Sequence, residues 1–596
     1  MVSNQSIAQT LKEIAEYLEM QEVPFKPRAY EKVAEVIGGL EEEVADIYKR
    51  GGIKALEEIP GVGKGIAERI EELIKTGRSK YHEELKKKTP VDLASLGAIE
   101  GLGPKSVQKL YQKLHVRNIG DLERVARAGK VAKLEGFGTK SEEKILKGIE
   151  FSKKSGGRFV LGTVMPQVRA IETRLRAVRG VERLTVAGSV RRRKETIGDV
   201  DILITSEHAK PIMDAFVAMP EVVQVMAHGE TKSSVKLTTG LNVDVRVVPS
   251  ESYGAALNYF TGSKDHNVAL RQIAVGKGLK LNEYGLFSAK GVKNAEKRGN
   301  ERGITQKEII IAGKTEEEIY GALGMDYIEP EMRENTGELE AARKHELPKL
   351  IGYGDLMGDL QVQTSWTDGS DSIETMAKAA AAQGLKYIVI TDHTKRLAMT
   401  HGLDEKRIVE QWKEIDAVNK KFQVSSFKLQ VLKGTECDIL KDGSLDLPDS
   451  TLSKLDVVGV SVHSFFNLTE REQTERVRRA MENPHVDIFF HPTGRILNRR
   501  EPYQIDMEEI IKIAKKTGTI LEIDAYPDRS DLKDEYIRKC VEAGVKMSID
   551  SDAHSKAHFP FLEYGIAQAR RGWATKNDII NAWPVEKMLG FLKKKE

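Results

Sequence analysis

Gly188-Ser189-Val190-Arg191-Arg192, followed after a short polar turn by Gly198-Asp199-Val200-Asp201, is the stretch on which the reading of this chain turns. Side chains of a strand alternate faces, so Asp199 and Asp201 project to the same side. A second apolar run, Val243-Asp244-Val245-Arg246-Val247, carries a third acid, Asp244, with its valines directed into a core. Three carboxylates converging on one sheet edge repel one another unless divalent cations neutralise them. Mg²⁺, held by carboxylates together with substrate phosphates, is the natural occupant. Two such ions can activate a hydroxyl and stabilise a departing pyrophosphate during in-line displacement. Gly188 and Ser189, between a strand and a helix start, offer backbone and hydroxyl donors to a triphosphate. An isolated Asp-x-Asp is usually a solvated turn. With the Gly-Ser, the basic run and the third acid around it, nucleotidyl transfer is the better reading.

The bulk composition sets the frame. A chain of 596 residues is too long for one core and implies several domains. It is 40% hydrophobic and 31% charged with a net charge of only +3, so DNA contact has to use local basic patches. Two cysteines, Cys437 and Cys540, argue against a disulfide framework. No apolar run is long enough to span a membrane. The first residues show Ile7, Leu11, Ile14 and Leu18 at helical spacing rather than a signal-peptide layout. A cytoplasmic, monomeric protein without membrane contact is expected.

The first third reads as short helices broken by glycine turns, and it contains an internal repeat. Ile59-Pro60-Gly61-Val62-Gly63-Lys64, Ile99-Glu100-Gly101-Leu102-Gly103-Pro104-Lys105 and Leu134-Glu135-Gly136-Phe137-Gly138-Thr139-Lys140 share one pattern, each followed by a helical stretch. One Gly-x-Gly is most often just a turn. Three copies, each with an apolar residue between the glycines and a lysine beside them, suggest helix-hairpin-helix grips on the DNA backbone. The glycines let backbone N–H groups approach a phosphate, and the helix start favours the anion.

From about Phe159 the pattern becomes mixed helix and strand, and a helical, charge-rich stretch follows Ser252. Residues 1–325 resemble a family X DNA polymerase. The resemblance implies that Asp199 and Asp201 bind both metals and Asp244 the one activating the primer 3′-hydroxyl. It places Ser189 and Arg192 on the β- and γ-phosphates of the incoming nucleotide, with Gly188 and Gly198 close by. A second signature is Asn258-Tyr259-Phe260-Thr261-Gly262-Ser263 with Asn267 and Arg271. There Tyr259 and Phe260 would pack on the sugar, Gly262 would lie beside them, Asn267 would touch the base edge and Arg271 the template. Arg246 fits a latch beside Asp244. One departure stands out: the position of the family's lyase lysine is Arg69, which stays protonated and makes a poor amine nucleophile. Lyase activity is therefore doubtful, although Lys32 or Lys64 could contact a 5′-phosphate.

In the second half, metal-type residues end apolar runs, as in a parallel α/β barrel. Tyr387–Ile390 leads to His393, Val457–Val460 to His463, Ile488–Phe490 to His491 and Met547–Ile549 to Asp552 and His554, while Glu436 follows Val431-Leu432. This half resembles the PHP (polymerase and histidinol phosphatase) phosphoesterases, and the resemblance implies ligands at Asp368, His393, Glu436, His463, His491, Asp552 and His554. They would hold Mn²⁺ or Zn²⁺ for 3′–5′ exonuclease or abasic-site endonuclease work. The family's His-x-His is Gln361-Val362-Gln363 here, and a neutral amide oxygen is a weaker ligand, so the first metal position and the nuclease are expected to be weakened or lost.

The expected fold is multidomain, α+β and α/β: a helical DNA-binding, lyase-like domain over 1–88, helix-hairpin-helix over 89–152, and a catalytic palm over 153–250. A thumb-like domain over 251–325, a Pro- and Glu-rich tether over 326–350 and a distorted, TIM-like PHP barrel over 351–596 complete it. The expected function is gap-filling synthesis in base excision repair, from deoxynucleoside triphosphates on gapped or primer-template DNA with Mg²⁺ or Mn²⁺. Two rivals are a DNA-end-binding scaffold and a nuclease with vestigial synthesis; the intact acid trio argues against the first and the glutamines against the second.

Overall fold

The described residues of the three Gly-x-Gly repeats share one backbone hydrogen bond. Val62 N–H donates to Ile59 O (3.0 Å), Leu102 N–H to Ile99 O (3.1 Å) and Phe137 N–H to Leu134 O (3.0 Å). Each turn then starts a helix: α1 (Lys64–Thr76), α2 (Pro104–Leu114) and α3 (Thr139–Lys154). Gly61 and Gly136 sit at φ +84° and +85°, a conformation that strains any side chain. The residue between the glycines packs inward with Ile66, Ile70, Val107 and Leu110 in one core. Lys64, Lys105 and Lys140 stay exposed at the helix starts.

The structure, a computed structural model, describes residues 4–38, 40, 42–97, 99, 102–154, 157–288, 309–423 and 429–593. It divides into two units: Met1–Arg158 with Gly494–Tyr503 and Ala553–Pro560, and Phe159–Thr493 with Gln504–Asp552 and Phe561–Glu596. The repeats belong to the first.

The second unit contains a five-stranded mixed sheet of β1 (Arg183–Val186), β2 (Asp199–Thr205), β3 (Val222–His228), β4 (Lys232–Leu237) and β5 (Asn242–Val248). Its strand order is β1-β2-β5-β4-β3. Alternation settles its faces: Val200, Ile202, Val243 and Val245 are buried, while Asp199 is exposed and Asp201 and Asp244 are half-buried. Between β1 and β2 the one-turn helix α4 (Gly188–Arg191) follows a tight turn. Then come α5 (Tyr253–Thr261), α6 (Lys264–Gly276) and a small three-stranded antiparallel sheet, Leu279–Asn282, Gly285–Ser288 and Ile310–Ala312.

A seven-stranded parallel sheet occupies the C-terminal half: β6 (Gly358–Val362), β7 (Tyr387–Ile390), β8 (Gln430–Asp438), β9 (Val457–Ser461), β10 (Ile488–Phe489), β11 (Ile520–Asp524) and β12 (Met547–Asp550), in sequence order. Leu360 N–H donates to Asp550 Oδ1 (2.7 Å) and Ser551 N–H to Asp359 Oδ1 (3.2 Å), so β6 and β12 draw together and the barrel nearly closes. Most of these strands are buried throughout, as expected when helices cover a parallel sheet. The helix α7 (Leu562–Arg571) follows the last strand.

One expectation fails. The tether over 326–350 is packed structure: Ile328, Met332, Leu339 and Ala342 join the core formed by Leu270, Leu286 and Tyr320. Its acids misled because several of them find partners inside the protein. Glu338 bonds His266 (2.7 Å), both fully buried, and Glu331 bonds Arg570 (2.8 Å).

Candidate active sites and DNA interface

The parallel pairing of β2 and β5 sets Asp201 directly beside Asp244, with Asp199 opposite Asn242. Burial pushes the Asp201 carboxyl up to about 6, and the charges of Asp199 and Asp244 add to it. This is the electrostatic mark of acids crowded onto one spot. Lys232, on β4, answers it from the side, with Nζ 3.1 Å from Asp244 Oδ2. A pair of divalent cations fits such a site: the three carboxylates outnumber Lys232 and Arg246, the two cations that act on Asp201. Gly188, at φ +62°, lies so close that a Cβ there would meet Asp201 Oδ2 at 2.7 Å. Any other residue would push the acid out of place.

The residues expected to meet a nucleotide fall on the elements that flank and follow this pair of strands. Ser189 sits in α4. Arg192 donates from Nε to Glu334 (3.1 Å) and from Nη1 to the Thr261 carbonyl, beside Gly262. Gly198 immediately precedes β2. Tyr259 and Phe260 stack edge to face, ring centres 5.1 Å apart, and Arg246 lies over the Phe260 ring at 4.7 Å. Tyr259, Asn267 and Arg271 line one small cleft with Asn258 and Leu281. Asn267 donates to the Tyr259 carbonyl (2.7 Å) and Arg271 Nε to the Asn267 carbonyl (3.2 Å), which ties the cleft wall together.

Sequence reading missed Lys232, Glu316 and Glu334. Glu316 receives both arms of Arg191 (2.6 and 3.0 Å) as well as Arg333, and is almost fully buried. Nothing local announces these residues, because their partners lie up to 142 positions away. Lys232 had one signal: it pairs across to the acid-bearing strand, at Arg246.

The barrel gathers a second set at its strand ends. Glu436 is the hub: Oε1 meets His463 Nε2 (3.1 Å) and His491 Nε2 (2.8 Å), and Oε2 meets His393 Nδ1 (3.3 Å). Burial would raise Glu436, yet His393 and His463 hold it well below the ordinary carboxylate range. Burial likewise opposes charge on His463, but Glu436 and Asp438 push it up to about 9. His393, Glu436 and His463 each offer a ligand atom within 4.8 Å of the others, a donor set suited to a divalent metal. Asp368 lies 3.6 Å from His393 Nε2, and Asp552 lies 3.5 Å from Arg529. His491 and Asp552 hold positive φ (+29° and +49°), strain of the kind that gathers at functional sites. His554 belongs to the segment Ala553–Pro560 of the first unit, where its N–H donates to His558 Nδ1 (3.2 Å).

Gln361 and Gln363 are both fully buried here. Gln363 donates to Glu436 Oε2 (2.8 Å), whereas its own oxygen and both amide atoms of Gln361 are buried without a hydrogen-bond partner. Buried amides left unsatisfied are costly, so this pocket is built for an occupant that the glutamines serve poorly.

In the first unit Gly61, Gly63, Lys64, Gly103, Lys105, Gly136, Gly138 and Lys140 occupy the repeated turns, with the helix N-termini following them. Gly101 lies outside the described residues. Arg69 is committed to packing, with its guanidinium 4.8 Å from the centre of the Tyr81 ring.

A polymerase-type palm and thumb, preceded by helix-hairpin-helix turns and followed by a metal-binding barrel, define a DNA-dependent nucleotidyltransferase with a phosphoesterase-type module. Comparison with known proteins agrees in every part. Residues 164–253 match the DNA polymerase beta palm family, 256–334 its thumb, 2–79 and 93–150 two helix-hairpin-helix families, and 359–555 the PHP domain. The DNA polymerase/3′-5′ exonuclease PolX of Bacillus subtilis (strain 168) is 37% identical over 99% of both chains. DNA polymerase lambda of Rattus norvegicus is 27% identical over 46% of this chain and 48% of its own. A probable phosphatase of Thermoanaerobacter sp. (strain X514) is 28% identical over 38% of this chain and 89% of its own. The chain belongs to the family X DNA polymerases that carry a PHP domain, and it is a DNA polymerase. Divalent metals are general to both of its enzymatic families, and no helix among the described residues is long and apolar enough to cross a membrane.

Proposed function

We propose that the protein, acting as a monomer in the cytoplasm, fills short gaps during DNA repair, with Asp199, Asp201 and Asp244 holding two Mg²⁺ or Mn²⁺ ions. The observation carrying this is the in-register pairing of Asp201 with Asp244 together with the raised Asp201 carboxyl. When bound, the ions supply charge that favours ionisation of a primer 3′-hydroxyl and neutralises pyrophosphate. The protein's own part is positioning, since phosphoryl transfer asks little covalent chemistry of it. Asp244 orients the primer end, while Ser189 and Arg192 hold the β- and γ-phosphates. Tyr259 and Phe260 exclude a ribose 2′-hydroxyl, Asn267 meets the base edge and Arg271 the template. Lysines at the three repeat turns grip DNA phosphates on either side of a gap, so binding should weaken steeply with salt. Primer extension on a one-nucleotide gap tests the reading: Asp244→Ala should lose nearly all incorporation, and incorporation that survives would place synthesis elsewhere.

For the barrel the proposal is a Mn²⁺ or Zn²⁺ site with diminished nuclease activity. His393, Glu436, His463, His491 and Asp368 supply ionic and imidazole donors, whereas Gln361 and Gln363 supply only amides. Even loss of the outer partners that orient metal ligands lowers metal affinity or activity by roughly 10–100-fold, and loss of two ligands costs at least that. The double replacement of Gln361 and Gln363 by His should therefore raise 3′-end degradation in Mn²⁺ by at least that factor. Vigorous degradation by the unaltered protein would refute it.

A further inference from the structure

From the last residue of α4 the chain runs Arg191-Arg192-Arg193-Lys194-Glu195, a stretch with no apolar side chain to bury and four adjacent cations that repel one another. What fixes it is a ring of partners from distant sequence. Glu316 takes Arg191, and Glu334 takes both Arg192 (3.1 Å) and Lys194 (3.6 Å). The rest come from α7 at the end of the barrel. Glu563 faces Arg193 (3.8 Å) and Arg169 (2.5 Å), and Gln568 donates to Glu195 (3.2 Å).

Arg571 closes the ring. Its side chain is 2% exposed, and Nη1 donates both to the Arg192 carbonyl (3.0 Å) and to Glu334 (3.1 Å), while Nη2 is held by Asp534. One guanidinium thus fixes the main chain of Arg192 and shares the carboxylate oxygen, Glu334 Oε1, on which the Arg192 side chain also rests. A planar fork locked by packing suits this double task, and lysine could not reproduce it.

We propose that Arg571 of the metal barrel is a positioning residue of the polymerase: it holds the Arg192 loop in place and, by sharing Glu334, keeps the Arg192 guanidinium available to a nucleotide's β- and γ-phosphates. The inference rests on the reading of Arg192 as a phosphate ligand. Without Arg571 the loop loses an anchor and Glu334 Oε1 is left to Arg192, with Lys194 on the other oxygen, and both changes weaken the triphosphate grip.

The test is single-nucleotide gap filling by the full chain, with KM for the deoxynucleoside triphosphate, kcat and DNA affinity measured separately. Arg571→Ala should raise that KM roughly five- to tenfold, the scale of one ordinary hydrogen bond lost, with kcat and DNA affinity close to unchanged. Arg571→Lys should fall between, and if the alanine variant does not fold, the lysine variant carries the same readout. Gln568→Ala, which cuts a tie without moving a charge, should raise KM less. An unchanged KM in a folded Arg571 variant, or DNA affinity falling in step with nucleotide affinity, overturns the inference. Arg192→Ala is the separating arm: if it too leaves KM unchanged, the reading of Arg192 fails instead.

Discussion

Asp201 carries a carboxyl that the fold makes costly to ionise. Its value stands at about 6 against an ordinary 3.8, chiefly from burial and then from Asp199 and Asp244. A raised acid favours the folded state only while it is protonated. In metal-free protein its share of stability is thus whole below pH 3.8 and lost as pH rises through about 6, a swing of at most about 3 kcal/mol. Asp201→Asn, followed calorimetrically in chelator, should melt higher than the unaltered protein at pH 7.5 and show no such gain below pH 3.8; an equal or lower melting point at pH 7.5 would sink the argument. Gly188 works from the other side of the same carboxylate. Gly188→Ala forces a Cβ into Asp201 at a φ of +62°, so it should cost about 1–3 kcal/mol and most of the incorporation rate. Normal incorporation by that variant would show that the acid can shift without harm. The acids and the glycine were legible in sequence because their chemistry is carried by residue type at short spacing. Glu334 and Lys232 were not, because their meaning comes only from the strands and turns that bring them near.

At the scale of elements, α4 is too short to hold itself, and its rigidity comes from Glu316. Burial should raise that carboxyl, yet Arg333 and Arg191 bring it down to about 2. A lowered acid gives the opposite sign to Asp201: its stabilisation is present above pH 4.5 and lost as pH falls toward 2, for about 3 kcal/mol in all. Glu316→Gln leaves Arg333 buried without its counter-charge and should destabilise by about 3–5 kcal/mol at pH 7. Read by urea unfolding, that difference should shrink steadily below pH 4.5. A difference that stays constant with pH would mean that shape rather than charge is what the site needs. Strands such as Asn242–Val248 were readable from alternating valines, and barrel strands such as Tyr387–Ile390 from unbroken apolar runs. The three short strands after α6 were not, since lengths of three and four residues leave no periodicity to detect. The packed 326–350 segment was misread for a related reason. Composition cannot distinguish a solvated glutamate from Glu338 locked onto His266.

For the molecule as a whole, the palm, thumb and barrel belong to one unit, and buried arginines of α7 are part of what joins them. Arg570 donates to Glu331 (2.8 Å) and to the Ile351 carbonyl (2.8 Å), and Arg571 reaches Glu334 and the Arg192 carbonyl. Separating palm from barrel would strand these charges in a dry interior, which costs several kcal/mol for each broken pair. The two halves should therefore lose structure together. The sequence supplies a convenient probe, because all four tryptophans, Trp366, Trp412, Trp573 and Trp583, lie in the C-terminal half. Tryptophan fluorescence then follows the barrel through Trp366, Trp412 and Trp583, with Trp573 reporting the thumb-side core it joins, while residual gap filling after heating follows the palm. In the unaltered protein the two midpoints should agree within about 2 °C, less than the shift one kcal/mol produces in a large domain. Arg570→Ala should pull them apart, with gap filling lost first, because Glu331 is left buried and uncompensated. Midpoints already separate in the unaltered protein would show that α7 touches the palm without sharing its stability.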